Sequence, residues 1–323
     1  MTKTTTWPMS EDSFRPWLDV ANDWRRSDAT ESYSLYWSDV AQFGQILPRP
    51  SASAIAKYYE VNDYYTHGPD AGASDAVHRG VLQRALMSVA WRLDRGIAPT
   101  SAWWKAVPPE GARSCVDIGC GDGSNLAMLA PYLDVLVGVE PDPKAREAAS
   151  ARGIRVMDGV AESLPGELVP GSFDLVVISH VLEHCRDPIA ALANARDLMS
   201  DRGVLMVETP NSAALGCKAR GAGWYWLDVP RHLNFFTEDS LRTLCAHVAL
   251  LPQRAEYSGF VRQFSRAWIE AETRIEARLD GRAKITAADF RRNFYRQVAL
   301  LLRSGLAPAR RKYDSVRLIC TKA

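Results

Sequence analysis

The sequence predicts an α/β protein built on a doubly wound, mostly parallel sheet, and three observations predict it. The apolar run Cys115-Val116-Asp117-Ile118 ends abruptly in Gly119-x-Gly121-x-Gly123, and helix-type residues follow at once. Strand, side-chain-free turn and helix in that order begin a βαβ unit and place N–H groups at a helix start. A second apolar run, Val135 to Val139, ends in Glu140, and strand-like and helix-like segments then alternate regularly. Such alternation implies parallel strands with helices on both faces.

Composition narrows the class. With 323 residues, 47% of them apolar and 24% charged, the chain can bury a sizeable core as one large domain with additions. A net charge of +1 gives no general attraction to nucleic acid or an anionic membrane. The six cysteines, at 115, 120, 185, 217, 245 and 320, include no Cys-x-x-Cys pair and several fall in apolar runs. They read as small buried hydrophobes in a reducing compartment. No apolar run approaches membrane-spanning length and the first residues lack a signal-peptide core, so the expectation is a cytoplasmic protein.

The elements follow in order. Residues 1–75 form an aromatic-rich extension, with Trp7, Trp17, Trp24 and Trp37 and the stretch Tyr58-Tyr59 to Tyr64-Tyr65-Thr66-His67, read as a packed small subdomain. Within it Leu47-Pro48-Arg49-Pro50 is a connector, and Ala52 to Tyr59 a short helix capped by Ser51. Residues 76–111 are a helical lead-in, since apolar residues from Ala76 to Trp91 recur three and four apart.

The core, 112–260, is predicted as strand 114–119, helix 124–132, strand 135–139, helix 142–152, strand 155–157, strand 173–178, helix 188–200 and strand 204–207, then a helix from the Thr237 cap to Val248 and a strand near 253–257. Residues 261–312 are a basic helical insert with 13 Lys/Arg against 5 Asp/Glu, a lid or an interface whose charge suits solvated faces, an anionic acceptor or a homodimer contact. The final core strand lies in 313–323.

Three stretches carry candidate chemistry. A carboxylate at the tip of the second strand, Glu140, can accept both hydroxyls of a ribose lying across the crevice. Ser124 breaks the dinucleotide pattern G-x-G-x-x-G. After the fourth strand, His180-Val181-Leu182-Glu183-His184 matches H-x-x-E-H, but it directly follows a strand, so no metal is expected. His180 and His184 read instead as lining the crevice, where a neutral imidazole can take a proton, with Glu183 orienting one of them. The loop Gly223 to Thr237 carries Trp224, Tyr225, Trp226, Arg231 and His232, suited either to close over an acceptor or to latch the next helix.

Val116-Asp117-Ile118-Gly119-Cys120-Gly121-Asp122-Gly123, Gly138-Val139-Glu140, Phe173-Asp174, Val181-Leu182-Glu183-His184 and Asp201 to Val207 together resemble the class I S-adenosylmethionine (SAM)-dependent methyltransferases of the small-molecule type. The resemblance implies a seven-stranded Rossmann-like sheet and SAM as cofactor. It places Gly119, Cys120 and Gly121 against the methionine part, held by Asp117 through water, and Glu140 with Pro141 at the ribose. Asp158, Ala161 and Glu162 border the adenine, where Val160 replaces a common aspartate, and Ser179 closes the site.

The Trp224-to-Thr237 segment resembles one branch of this family found near sugar, lipid or secondary-metabolite pathways. The 47–67 region resembles bacterial members with a zinc ribbon before the catalytic domain, here without ribbon cysteines. There the Tyr-Tyr segment lies over the cofactor entrance, which makes Tyr64 and Tyr65 candidates for substrate contact with Trp224, Trp226 and Arg231. His180, His184 and His232 are the catalytic candidates.

The expected reaction is methyl transfer to a small-molecule acceptor, by preference to oxygen, with nitrogen or sulfur as alternatives. A nicotinamide-dependent oxidoreductase and a non-catalytic SAM-binding protein are the readings from other classes. A nucleic-acid amino-methylase is disfavoured because Ser179-His180-Val181-Leu182 replaces an Asn/Asp-Pro-Pro-aromatic clamp.

Overall fold

The computed structural model describes residues 13–26, 29–59 and 80–323. Near the N-terminus, β1 (Arg15–Val20), β2 (Tyr33–Ser38) and β3 (Phe43–Ile46) form an antiparallel meander, followed by α1 (Ala52–Tyr58). Ser51 Oγ accepts from Ala54 N at 3.2 Å, so the predicted cap is in place. The strands were not predicted; Tyr33, Leu35 and Trp37 do alternate inward, but aromatic Tyr36 between the last two hides the period. Helices α2 (Val81–Leu93) and α3 (Ser101–Ala106) lead into the core.

The core contains β4 (Ser114–Ile118), α4 (Ser124–Leu129), β5 (Val135–Val139), α5 (Pro143–Ala151), β6 (Arg155–Met157), β7 (Phe173–Ser179), α6 (Pro188–Leu198) and β8 (Met199–Pro210). After α7 (Leu215–Arg220) come β9 (Asn234–Phe235), α8 (Glu238–His247) and β10 (Leu250–Ser258), then α9 (Arg266–Leu279), α10 (Ala287–Ser304), α11 (Ala309–Lys312) and β11 (Ser315–Lys322). The predicted helix 124–132 stops at Leu129, with Ala130 still in helical backbone, because Pro131 has no N–H to continue the ladder. The predicted helix 188–200 ends at Leu198, and β8 begins there, five residues earlier than predicted.

The seven-stranded sheet has the order β6-β5-β4-β7-β8-β11-β10. The first five strands are parallel, and β11 runs antiparallel between β8 and β10. Alternate residues feed two cores, as a period of two requires. Val116, Ile118, Val176, Ile178, Leu205 and Val207 pack with α6 and α8 on one face. Cys115, Leu175, Val177, Met206 and Ile319 pack with α3 and α4 on the other. All six cysteines are unpaired and buried.

Two long-range features set up the site. Strand β9 pairs with β3, Gly44 opposite Phe235 and Gln45 opposite Asn234, which ties the N-terminal meander to the 223–237 loop. The insert is helical as predicted, and Phe260, Phe264, Ile269, Leu300 and Leu301 pack on Leu86, Met87 and Ala90 of α2. Much of its positive charge is matched locally by Arg266–Glu270, Arg282–Asp289 and Arg296–Glu276 pairs. No helix of the described residues is long and apolar enough to cross a membrane.

Candidate active site

The glycine turn works through shape. Gly119, Gly121 and Gly123 all have positive φ, and a Cβ on Gly119 would come within 2.3 Å of Val181 Cγ2, whereas one on Gly121 would meet nothing within 4 Å. The backbone at Gly121 therefore faces open space. The turn's N–H groups are not the free anion cradle that strand-turn-helix order suggests. Gly119 N and Cys120 N both donate to Val139 O, at 2.7 and 3.1 Å. Gly121 N donates to Glu140 Oε2 at 3.0 Å and Ser124 N to Asp122 Oδ1 at 3.1 Å.

What the turn presents is carboxylate. Asp117 and Glu140 are both buried, and Asp117 Oδ1 has no hydrogen-bond partner among the described residues. Burial pushes the Asp117 carboxyl up to about 7, and the nearby Glu140 charge adds to this. Burial also raises Glu140, against the N–H bonds from Asp142 and Gly121 that hold it down. Two buried acceptors beside committed N–H groups suit a ligand that brings positive charge and hydroxyls, and do not suit a pyrophosphate. That fits SAM and argues against a dinucleotide.

Beside this turn lies a cavity of about 450 Å³, bounded by Asn125, Ser179, His180, Glu208, Arg262 and Arg317 and by the α2–α3 segment. Its size is that of a small-molecule site. Its floor is part of a row of cross-strand partners: Ser179 opposite Glu208 and Glu208 opposite Arg317, with Arg317 opposite Glu256 beyond the cavity lining. Arg317 Nη2 donates to Glu208 Oε2 at 2.8 Å and its guanidinium lies 4.1 Å from the Trp103 ring centroid. Burial raises the Glu208 carboxyl, but Arg317 and His180 hold it below the usual range. Asn125 Nδ2 donates to Asp117 Oδ2 at 3.4 Å, so the cavity reaches the glycine turn. Asn125, Glu208, Arg262 and Arg317 were not predicted as site residues. The signal was Arg317, a charge inside the apolar strand Val316 to Cys320, which demands a buried partner.

His180 is the predicted catalytic residue that reaches this cavity. It follows β7 with φ of 56°, a strained conformation for a non-glycine residue. Its Nδ1 lies 3.2 Å from Glu183 Oε1, and its ring stacks on Trp226 at 4.8 Å and 8°. A carboxylate can only accept, so Nδ1 carries the proton and Nε2 is left with its lone pair. Trp226 is in turn held by an indole N–H donated to Asp314 Oδ2 at 3.2 Å and by Arg262, 4.8 Å over its ring.

His184 and His232 are not on that cavity's wall. His184 Nδ1 lies 2.9 Å from Tyr59 Oη and 3.1 Å from Arg231 O, and His232 Nδ1 donates to Trp226 O at 2.8 Å. Burial, then each other's charge or that of His180, lowers both imidazoles to about 4, Asp228 opposing. They are neutral at pH 7.

Two predicted substrate contacts are corrected. Arg231 is wholly buried, its guanidinium bound to Asp23 at 2.7 Å and Asp228 at 3.0 Å. Trp224 is 1% exposed and packs in the core of the small sheet with Val20, Leu35 and Trp37. The 223–237 loop is thus a latch at Trp224 and Arg231, while Trp226 stacks on His180. Tyr64 and Tyr65, with His67, lie outside the described residues.

Among the predicted cofactor contacts, Cys120 turns its side chain inward, where a Cβ on Gly138 would come within 2.5 Å of its Sγ. Ser179 stands at the cavity floor, its Oγ 3.5 Å from Glu208 Oε2. Near the expected adenine position, Asp158 is held on the surface by Arg146 at 2.9 Å, and Glu162 Oε1 accepts from Arg186 N at 2.8 Å. Ala161 is buried, with its carbonyl accepting from Asn194 Nδ2 at 2.9 Å. Pro141 and Val160 are exposed, so apolar surface rather than a side-chain acceptor is offered there.

Residues 85–249, half of the chain, match the family described as "Methyltransferase domain". The chain belongs to this family. It is accordingly a class I methyltransferase chain, with SAM as its cofactor and the Rossmann-like sheet as its fold. The chain is 32% identical over 162 residues to the ubiquinone biosynthesis O-methyltransferase of Cereibacter sphaeroides, 45% of this chain and 63% of that one. It is 30% identical over 126 residues to the trans-aconitate 2-methyltransferase of Methylobacterium radiotolerans, covering 38% and 47%. The matches thus span less than two thirds of these curated relatives. Among solved structures, a putative sarcosine dimethylglycine methyltransferase from Galdieria sulphuraria is similar with a TM-score of 0.48 at 16% identity, over 75% of this chain and 98% of that one.

Proposed function

We propose that this methyltransferase transfers the methyl group of SAM to a hydroxyl of a small-molecule acceptor seated in the cavity beside His180. The observation that carries the reading is the contact of buried Glu183 with His180, which lines a cavity that also reaches Asp117 through Asn125. When bound, SAM supplies a methyl group already activated by its sulfonium. The chain's contribution is then alignment, water exclusion and one proton transfer. Asp117 and Glu140 hold the cofactor end. Helix α2, the α2–α3 segment and the 259–262 stretch wall the cavity. His180 Nε2 takes the acceptor's proton, while Glu183 Oε1 fixes the tautomer and stabilises the imidazolium that results. Arg262 and the Arg317–Glu208 pair make the cavity polar, which suits an acceptor bearing hydroxyl or carboxylate groups.

Glu140→Ala is expected to weaken SAM binding by about 1.5 to 3 kcal/mol, the scale of hydrogen bonds to a charged acceptor. Calorimetry on the folded variant checks this; unchanged affinity would remove Glu140 from the site. A pH effect follows from Asp117. Its ionised form is the one that accepts hydrogen bonds from a cationic ligand, and with the carboxyl at about 7 it is largely protonated below neutrality. SAM affinity should therefore rise with pH between about 5.5 and 7, by at most tenfold per unit, with protons released on binding. Titrations in two buffers of different ionisation enthalpy measure that release. A flat affinity over this interval would show that Asp117 does not meet the cofactor.

A further inference from the structure

We infer that Glu183, His184 and His232 form a binding site for a divalent transition-metal ion, most suitably Zn²⁺, directly behind the catalytic cavity. One ligand atom from each of the three lies within 4.8 Å of the others. The sequence spacing His180-x-x-Glu183-His184 does not make this set. His180 Nδ1 is engaged by Glu183 Oε1, and His232, brought in from the latch loop, stands in its place.

Two observations point to a cation. Glu183 is 1% exposed, and its second oxygen, Oε2, is buried without a hydrogen-bond partner among the described residues. An orphaned carboxylate oxygen in such a place costs free energy unless something positive meets it. Next, the His232 ring is fixed by Nδ1 donating to the backbone carbonyl of Trp226, which leaves Nε2 as the lone-pair nitrogen. His184 Nδ1 lies 3.1 Å from the carbonyl of Arg231 and 2.9 Å from Tyr59 Oη, and a proton donated to that carbonyl leaves the lone pair on Nε2. A carbonyl bonded to the far ring nitrogen is the usual support of a metal-ligating histidine.

Two imidazoles and one carboxylate are a donor set that Zn²⁺ takes with a fourth position open. Ligand atoms around zinc stand closer than 4.8 Å, so occupancy draws the three side chains together by small rotations. The site joins the end of β7 to the 223–237 loop, since Leu233 N already donates to Glu183 O at 2.7 Å. A bound ion would therefore brace the turn that carries His180.

The test uses the full chain stripped with a chelator and titrated with ZnCl₂, with metal content read by mass spectrometry after dialysis. Wild type should retain one equivalent of zinc, and CoCl₂ should give the visible ligand-field bands of a tetrahedral site. His232→Gln and Glu183→Gln should each weaken zinc binding by at least about tenfold, the lower end of what loss even of a supporting group costs. His180→Ala should keep it, which separates this set from the H-x-x-E-H alternative. Wild type that retains no zinc overturns the inference whether or not the variants fold. So does equal zinc affinity in wild type, His232→Gln and Glu183→Gln.

Discussion

Replacing His180 with alanine is expected to lower kcat by about 10²- to 10⁴-fold, the contribution of a positioned general base, while SAM affinity changes little. Neither Asp117 nor Glu140 is among the hydrogen-bond or stacking partners of His180, so under the proposed roles its loss removes proton transfer and leaves the cofactor end in place. It is placed by three constraints at once: the left-handed turn after β7, the Glu183 carboxylate at 3.2 Å and the Trp226 ring stacked at 4.8 Å. Glu183→Gln should reproduce part of the loss, because an amide can orient the ring but cannot stabilise an imidazolium. Steady-state kinetics beside SAM calorimetry on the same preparations separates the two effects. Near-native kcat in His180→Ala would mean that the acceptor arrives already deprotonated or reacts without a base.

Arg231→Ala is expected to act on stability rather than on chemistry, lowering the unfolding free energy by about 3–5 kcal/mol, the range for breaking a buried ion pair on one side. Arg231 reaches across the chain to Asp23 at 2.7 Å, and also donates to Tyr58 O at 3.1 Å. Without it, Asp23 and Asp228 are two buried carboxylates, Asp228 still paired with Arg25 at 2.8 Å. Burial would raise Asp228, yet Arg231 and Arg25 hold its carboxyl far below the usual range, so the cluster is a strongly coupled one. Denaturant unfolding of wild type and variant measures the effect. A loss below about 1 kcal/mol would mean that the cluster is replaced by water at little cost.

The two cases show which parts of the fold and site were legible in sequence. Strand β4, its glycine turn and Glu140 were readable because every signal is local: an apolar run, residues permissive of positive φ, and a charge at the next strand tip. Thr237 as the cap of α8 was readable for the same reason, and its capping box with Ser240 is present. Strand β9 was not, because two residues become a strand only by meeting Gly44 and Gln45, about 190 positions earlier in the chain.

Arg231 shows the opposite failure. A charged residue in an aromatic loop resembles a substrate contact, but its partner Asp23 is 208 positions away and no local pattern announces the pair. The row Ser179, Glu208, Arg317 and Glu256 exists only once the register of four strands is set. The turn's committed N–H groups are also a register effect, since Val139 O accepts two of them.

The most direct measurement is transfer itself. Wild type and His180→Ala are incubated with methyl-labelled SAM and fractionated cell extract, and label is followed by mass in the small-molecule fraction. The expected result is a low-mass product carrying one labelled methyl group with wild type, and its near absence with His180→Ala although that variant still binds SAM. Equal label transfer by the two proteins, or SAM bound by wild type with no label leaving it in any fraction, would contradict methyl transfer to a small-molecule acceptor at this site.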